Sequence, residues 1–411
     1  MILNKNSVLL LTKDAQCKSY YPCYGNQFYK GKTPNMDELV AKGTLFHNCF
    51  TVAPSSAMSY LGMFTMKYPY EHVMQTYVPL SKPYTGVTLF DKANEMGYET
   101  HVYWDEHWYK MAYVYTQCYG KNTEIHYLNN LRQGVGPQYR RNETLIRDDK
   151  TAQTTLEMVR NEMEKVTKSG KKLFVWFHMP HVLNGRTGYA DDIDLYDQYI
   201  GMFRDYFCDE NIFVSADHGN MNGVHGKLRY GFDVYDTAIN IPLITPRING
   251  MKECYALTTN KDFFDLIFNR KVIEHDVVFA DSTYYAQPRR KTAVVSGKYR
   301  YIYNKETRTE ELYDIEWDPN QEFNLISDYF HDTDRNQDSL SRELYFYPYW
   351  DELPAIREKL RAEKDRIWRD LTGKEKIVIK VYDLLRKNKF THSVLSSIKA
   401  CLEKKRMVEN K

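Results

Sequence analysis

The chain has no long apolar run: the one near its start, Val8 to Leu11, is far below the ~20 residues of a membrane span and too short for a signal core. A soluble, unexported protein of the cytoplasm is expected. It also has little excess charge, with 56 Lys and Arg against 54 Asp and Glu for a net +2. No whole-protein field therefore gathers nucleic acid or anionic membrane, and an anionic substrate must be met by a local site. Cysteines are few, odd in number and scattered, at 17, 23, 49, 118, 208, 254 and 401. None sits in a CxxC pair or has the histidine partners of a zinc finger, so they read as buried or incidental thiols in a reducing compartment. There is no internal repeat and no low-complexity segment.

What the chain does have is a hydrophobic fraction of 43% and 35 tyrosines, enough for a packed interior whose rings bury one face and wet a hydroxyl. Its 411 residues suit one large α/β core with appendages. Short apolar runs at Ser7–Thr12, Leu45–Thr51, Thr100–Trp104, Lys172–His178, Asn211–Ser215 and Ile239–Thr245 read as buried strands. Between them, Asn35–Lys42, Thr88–Met96, Thr151–Val166 and Asp194–Phe207 carry apolar residues at helical spacing. This alternation predicts an α/β fold with a mostly parallel central sheet flanked by helices. Ligands of such sheets sit at the carboxyl ends of the strands, and polar residues stand there: Asp14, then His178 and His181, then Asp217 and His218.

Past residue 285 the texture changes. Thr292–Val295, Tyr299–Tyr303 and Glu310–Asp314 predict a small antiparallel sheet, and Glu352–Leu371 and Lys376–Leu402 predict a helical tail. The expected division is a catalytic domain over 1–285, the small sheet over 286–348 and a helical extension over 349–411. The basic end, Lys404 to Arg406, is a solvated helix end or a docking surface, and the C-terminal helices leave an oligomeric contact open.

The sharpest motif runs from Ser215 to Lys227, SADHGNMNGVHGK. Asp217 and His218 can reach one cation if the chain turns after them, which Gly219 permits. A carboxylate with an imidazole suits Mn²⁺, Zn²⁺ or Mg²⁺ better than Ca²⁺, which favours oxygen alone. By itself such a pair is more often structural.

Its company changes that. Ala216-Asp-His-Gly followed by Gly223-Val-His-Gly resembles the metal and substrate segment of the sulfatase-like family of the alkaline phosphatase superfamily. Val8 to Asp14, Thr33 to Asn48, Ala53 to Pro69, and Gly297 to Tyr303 with Glu311 to Leu325 match further family segments in order, so the resemblance spans roughly 7 to 330. It implies an alkaline phosphatase-like fold and a metal-dependent hydrolase or transferase. Asp14, Ser56, Asp217 and His218 would surround one divalent cation, Mn²⁺ foremost, with Mg²⁺, Zn²⁺ or Ca²⁺ as alternatives. Ser56, located by counting back from Thr65 and Tyr68-Pro69, takes the nucleophile's place as a metal-bound serine. His107 and His181 fall where the family keeps histidines near the ester, which can serve the leaving group. His225 and Lys227 are candidate anion binders.

Each has a plainer reading: His107 satisfied in an aromatic loop, His178 as packing, Lys227 as solvated surface. Tyrosines 20, 21 and 24 could stack on a sugar or simply pack.

The departures from the family pattern bear on chemistry. Sulfatases carry Cys or Ser in a frame continuing x-Pro-x-Arg for oxidation to formylglycine, whereas this chain reads Ser56-Ala-Met-Ser-Tyr60. Lys13-Asp14 stands for Asp-Asp, Asp217-His218 for Asp-Asn, and Asp105 for a lysine. An unmodified serine suits phosphoryl transfer, so phosphate or phosphonate esters are expected ahead of sulfate. The alternatives are a sulfatase acting on a sulfated glycan or small sulfate ester, and a non-catalytic binding protein on this scaffold. Substrate is a small-molecule or glycan ester, with no nucleic acid and no membrane span among the partners.

Overall fold

The computed structural model describes residues 5–25, 31–71, 84–105, 118–128, 149–179, 186–228, 230–282, 290–327 and 347–368, with Gly373 and Ile377. His107, His181, Cys401 and nearly all of the helix expected over Lys376–Leu402 lie outside the described residues.

The apolar runs form strands with no exposed residue, as in Val8–Lys13 (β1), Leu173–Met179 (β6) and Ile212–Ala216 (β7). Strands buried on both faces need helices on both sides. With Thr44–Phe46 (β2), Glu99–Asp105 (β4), Thr123–Leu128 (β5), Leu243–Thr245 (β8) and Glu253–Cys254 (β9), they make an eight-stranded sheet of order β5-β4-β6-β1-β7-β8-β2-β9. From β5 to β7 every pairing is parallel, and β8 runs antiparallel to both its neighbours. Helices Pro34–Lys42 (α1), Ser56–Thr65 (α2), Leu89–Glu95 (α3), Asp149–Thr167 (α4) and Arg186–Phe203 (α5) are connected through this sheet. Two apolar clusters occupy its two faces, one centred on Trp104, Trp176 and Phe64, the other on Val175, Phe177 and Tyr199. The fold is the expected α/β architecture.

Two expected strands are shorter than the apolar runs. Leu45–Thr51 divides into β2 and Cys49–Phe50 (β3), which leaves the main sheet to pair with Thr258–Thr259 (β10). Residues 239–245 begin as the last turn of Asp236–Ile239 (α6), and the strand starts only after Pro242, whose missing N–H cannot join a ladder.

Phe263–Phe268 (α7) leads into an antiparallel meander of Val278–Asp281 (β11), Lys291–Ser296 (β12), Tyr299–Asn304 (β13) and Thr309–Asp314 (β14). This small sheet begins before residue 286. Leu353–Ile367 (α8) lies against β12 and β13, buries Leu353, Leu360 and Ile367, and is pinned when Arg357 Nε and Arg361 Nε each donate to Glu310 at 2.7 Å. Arg300 of β13 is buried and donates to Asp236 of α6 at 2.8 Å, which ties the meander to the loops at the sheet's carboxyl edge.

Candidate active site

Strands β1 and β7 are hydrogen-bonded neighbours with Lys13 opposite Ala216. The residue after each strand therefore emerges beside the other: Asp14 from one, Asp217 and His218 from the other. Helix α2 supplies the third element. Its residues 56, 59 and 60 share one face by helical spacing, and that face is anchored twice. Ser59 Oγ donates to the Asp217 carbonyl at 2.6 Å, and the Tyr60 hydroxyl lies 2.6 Å from His178 Nδ1. Tyr60 packs edge-on against Trp104 and Trp176 at 5.5 and 4.9 Å, contacts of about 0.5–1.5 kcal/mol each beyond area burial. His178 thus belongs to the packing that holds α2, as its plainer reading had it.

With α2 so fixed, Ser56 stands at its first turn. Ser56 Oγ lies 3.0 Å from His218 Nε2 and 3.3 Å from Asp14 Oδ1. His218 Nε2 in turn is 3.4 Å from Asp217 Oδ2 and 3.7 Å from Asp14 Oδ1. Ligand atoms of Asp14, Asp217 and His218 all fall within 4.8 Å of one another. Donors about 2.0–2.2 Å from a shared cation stand roughly 3–4 Å apart, so one ion fits.

The surroundings of each donor fit a cation as well. Asp217 Oδ1 accepts from the Ala15 and His218 amides at 3.0 and 2.7 Å, while its buried Oδ2 has no hydrogen-bond partner. His218 Nδ1 faces the Gly219 carbonyl at 2.7 Å, which assigns the proton to Nδ1 and leaves the Nε2 lone pair toward the cluster. Burial pushes the Asp217 carboxyl up to about 6, with His218 opposing and the Asp14 carboxylate adding to the rise. A cation would relieve that cost. The positive end of α2 lies at Ser56 and favours a negative oxygen there.

Gly219 works by proximity. A Cβ at this position would lie 1.9 Å from the Thr237 carbonyl oxygen, and its amide donates to Ala238 at 2.9 Å. Only glycine lets the segment after His218 press against α6. Cys17 ties the loops after β1 and β7 together, its Sγ donating to the Asn220 carbonyl at 2.8 Å.

His225 and Lys227 have their contacts elsewhere. His225, at φ 51°, stacks on Tyr235 at 4.0 Å between centroids. The Lys227 ammonium donates to Asp233 at 2.6 Å. His225 does line a cleft of about 950 Å³ with Lys18, Tyr20, Asn48, Asn220 and Gln321. The cleft opens two residues past His218 in the chain, and Ser56 is not part of its wall. Of the three tyrosines, Tyr20 faces it, Tyr21 is buried, and the Tyr24 hydroxyl donates to Phe46. Lys18 is the wall residue that motif reading missed, although it follows Asp14 by four positions. Burial lowers its ammonium to about 8 against the pull of Asp236.

A search of curated proteins finds no match. Solved structures do match. A 2-O GAG sulfatase superposes with TM-score 0.60 at 16% identity, covering 89% of this chain and 93% of that one. The phosphonate monoester hydrolase of Agrobacterium radiobacter gives TM-score 0.60 at 13% identity, over 90% and 99%. A protein in complex with its substrate D-glucosamine-2-N,6-O-disulfate gives TM-score 0.53 at 14% identity, over 89% and 100%. At such identities the likeness is one of fold. The sulfatase family model, however, matches residues 5–267 directly, a stretch that contains β1, α2, β7 and all four converging side chains, and the chain accordingly belongs to the sulfatase family.

Proposed function

We propose that this sulfatase-type ester hydrolase acts on phosphate or phosphonate esters, with Ser56 as an unmodified nucleophile and Asp14, Asp217 and His218 holding one divalent cation. The observation that carries the reading is the position of Ser56 Oγ, 3.0 Å from His218 Nε2 and 3.3 Å from Asp14 Oδ1, at a helix N-terminus and in a frame without the formylglycine Pro and Arg. A cation bound there supplies positive charge against the ester's anionic oxygens, and a donor set of two carboxylates and one imidazole suits Mn²⁺.

The chain's own groups do the rest. The Ser56 hydroxyl donates to Asp14 Oδ1, the carboxylate in reach of its proton as the new oxygen–phosphorus bond forms. The ester oxygen leaves with the pair of the breaking bond, and His107 or His181, which the resemblance implies lie near the ester, would protonate it. Water, or an acceptor hydroxyl in a transferase, then attacks phosphorus and frees Ser56. The amide-rich cleft lined by Asn48, Asn220 and Gln321 offers hydrogen-bonding groups to the alcohol part of the substrate.

A second reading, sulfuric ester hydrolysis, is favoured by the sulfatases among the matching structures. Two measurements separate them. Intact mass shows whether Ser56 has lost the two hydrogens of oxidation to an aldehyde. Turnover of aryl phosphate, phosphodiester, phosphonate and sulfate esters with added Mn²⁺ gives the preference. Unmodified serine with phosphate or phosphonate turnover is expected. An aldehyde with sulfate turnover alone would reverse the assignment, and no turnover of any ester would leave a binding protein.

A further inference from the structure

At one edge of the sheet, strand β5 lies parallel to β4 with His101 opposite Glu124 and Tyr103 opposite His126. In such a register His101, Glu124 and His126 share one face. His101 Nδ1 is 3.0 Å from His126 Nε2. The Glu124 carboxylate approaches both, Oε2 at 3.7 Å from His101 Nδ1 and Oε1 at 3.7 Å from His126 Nε2. All three residues have a ligand atom within 4.8 Å of the others'. Two imidazoles and a carboxylate form the nitrogen and oxygen donor set of a three-ligand zinc site, whose donors stand roughly 3.3 Å apart when bonds are about 2.0–2.2 Å.

The supports of these side chains match that chemistry. His101 Nε2 lies 3.2 Å from Glu99 Oε1, so the proton on that nitrogen faces a carboxylate and Nδ1 presents its lone pair to the cluster. Glu99 is itself held by Lys171 at 2.6 Å. A carboxylate behind a ligating histidine, fixing its tautomer and ring, is the usual outer partner of metal-bound imidazole. His126 is clamped flat against Tyr103, 4.3 Å between centroids and 7° between planes. His101 is buried while the Glu124 side chain is 63% exposed, so an ion can enter from solvent onto a prebuilt floor.

His101 stands level with Val175 of β6, and Val175 with Leu9 of β1. Asp14 lies five residues further on, about 16 Å along the strands at ~3.3 Å per residue. The cluster is therefore separate from the Ser56 site.

We propose that His101, Glu124 and His126 bind a transition-metal ion, Zn²⁺ by donor chemistry, with the fourth position open to water, and that the ion clips edge strand β5 to β4. Without metal, the proton on His126 Nε2 occupies the gap to His101 Nδ1, and binding at Nε2 requires that proton to move to His126 Nδ1.

The test titrates the chelator-treated full chain with Zn²⁺ alone against a chromophoric chelator. The wild type and the variants His126→Ala and Glu124→Gln are compared, each with and without Asp217→Asn to identify the other site. Two equivalents are expected in the wild type. One should weaken at least about tenfold in His126→Ala and in Glu124→Gln, with the Asp217-dependent equivalent retained as proof of folding, and Glu99→Gln should weaken the same equivalent by about 10–100-fold. Zn²⁺ stoichiometry and affinity unchanged in both His126→Ala and Glu124→Gln would overturn the proposal and leave two imidazoles sharing a proton.

Discussion

Replacing Asp217 by asparagine should have opposite effects on the apo and metal-bound protein. Asparagine keeps the shape and the oxygen that accepts from the Ala15 and His218 amides, and removes a charge buried beside Asp14. The Asp217 carboxyl is raised by burial from 3.8 to about 6, which at about 1.4 kcal/mol for each pH unit corresponds to an upper bound of roughly 3 kcal/mol. The sign follows from the raised value: the fold is favoured when this group is protonated, so stability is full below about 4 and declines as pH rises through about 6. Chelator-treated wild type should therefore lose stability between pH 4 and pH 7 through this group, a loss absent from Asp217→Asn. Near pH 8 the variant should be the more stable apo protein. Saturating Mn²⁺ reverses the ranking, because a cation at about 1,000 times its Kd stabilises the wild type by about 4.1 kcal/mol and the variant far less. Urea unfolding at pH 5 and pH 8, with chelator and with Mn²⁺, reads all four states. A variant less stable than wild type without metal at pH 8, together with no gain from Mn²⁺ in wild type, would refute the idea of a strained carboxylate pair awaiting a cation.

Gly219→Ala places a Cβ 1.9 Å from the Thr237 carbonyl oxygen and should cost upwards of about 2 kcal/mol by overpacking while weakening Mn²⁺ binding; thermal unfolding and metal titration check both, and a neutral variant would contradict the close-approach role. Burial alone would raise the Glu310 carboxyl, yet hydrogen bonds from Arg361 and Arg357 outweigh it and hold it down at about 2. Its contribution is present above about pH 4.5 and lost as pH falls toward 2, so Glu310→Gln should cost about 1–3 kcal/mol at pH 7 and much less near pH 2, measured by denaturant midpoints. Tyr60→Phe removes the hydroxyl 2.6 Å from His178 and should cost about 1–2 kcal/mol, with a lower kcat if Ser56 depends on the anchoring of α2; unchanged kcat would separate anchoring from catalysis.

How much of this was legible in the sequence depended on whether a signal was local. Val8–Lys13 and Leu173–Met179 announce themselves because strands buried on both faces are continuously apolar. The edge strand β5, Thr-Glu-Ile-His-Tyr-Leu, is mixed and half-exposed and gave no such run. Helix α2 is buried at every position, so it has no amphipathic stripe, and Ser56 was located through family spacing alone. Strand-end position pointed to Asp14, Asp217 and His218, and with Ser56 these are the four side chains that the β1–β7 pairing and α2 bring together. Lys18 was hidden because a cleft wall is assembled from distant loops, whereas Asn220 lay inside the motif with no role assigned to it. His225 stands on that wall, while Lys227 pairs with Asp233, six residues on.

The central claim is that Ser56 itself becomes covalently bonded to the transferred group, and rapid acid quench of the Mn²⁺-loaded enzyme turning over an aryl phosphate, followed by peptide mass analysis, tests it most directly. The peptide containing Ser56 should carry the mass of one phosphoryl group on an otherwise unmodified serine, absent from an inactive Ser56→Ala protein. An active Ser56→Ala protein, or turnover with the group found on Ser55 or on no residue, would contradict the account.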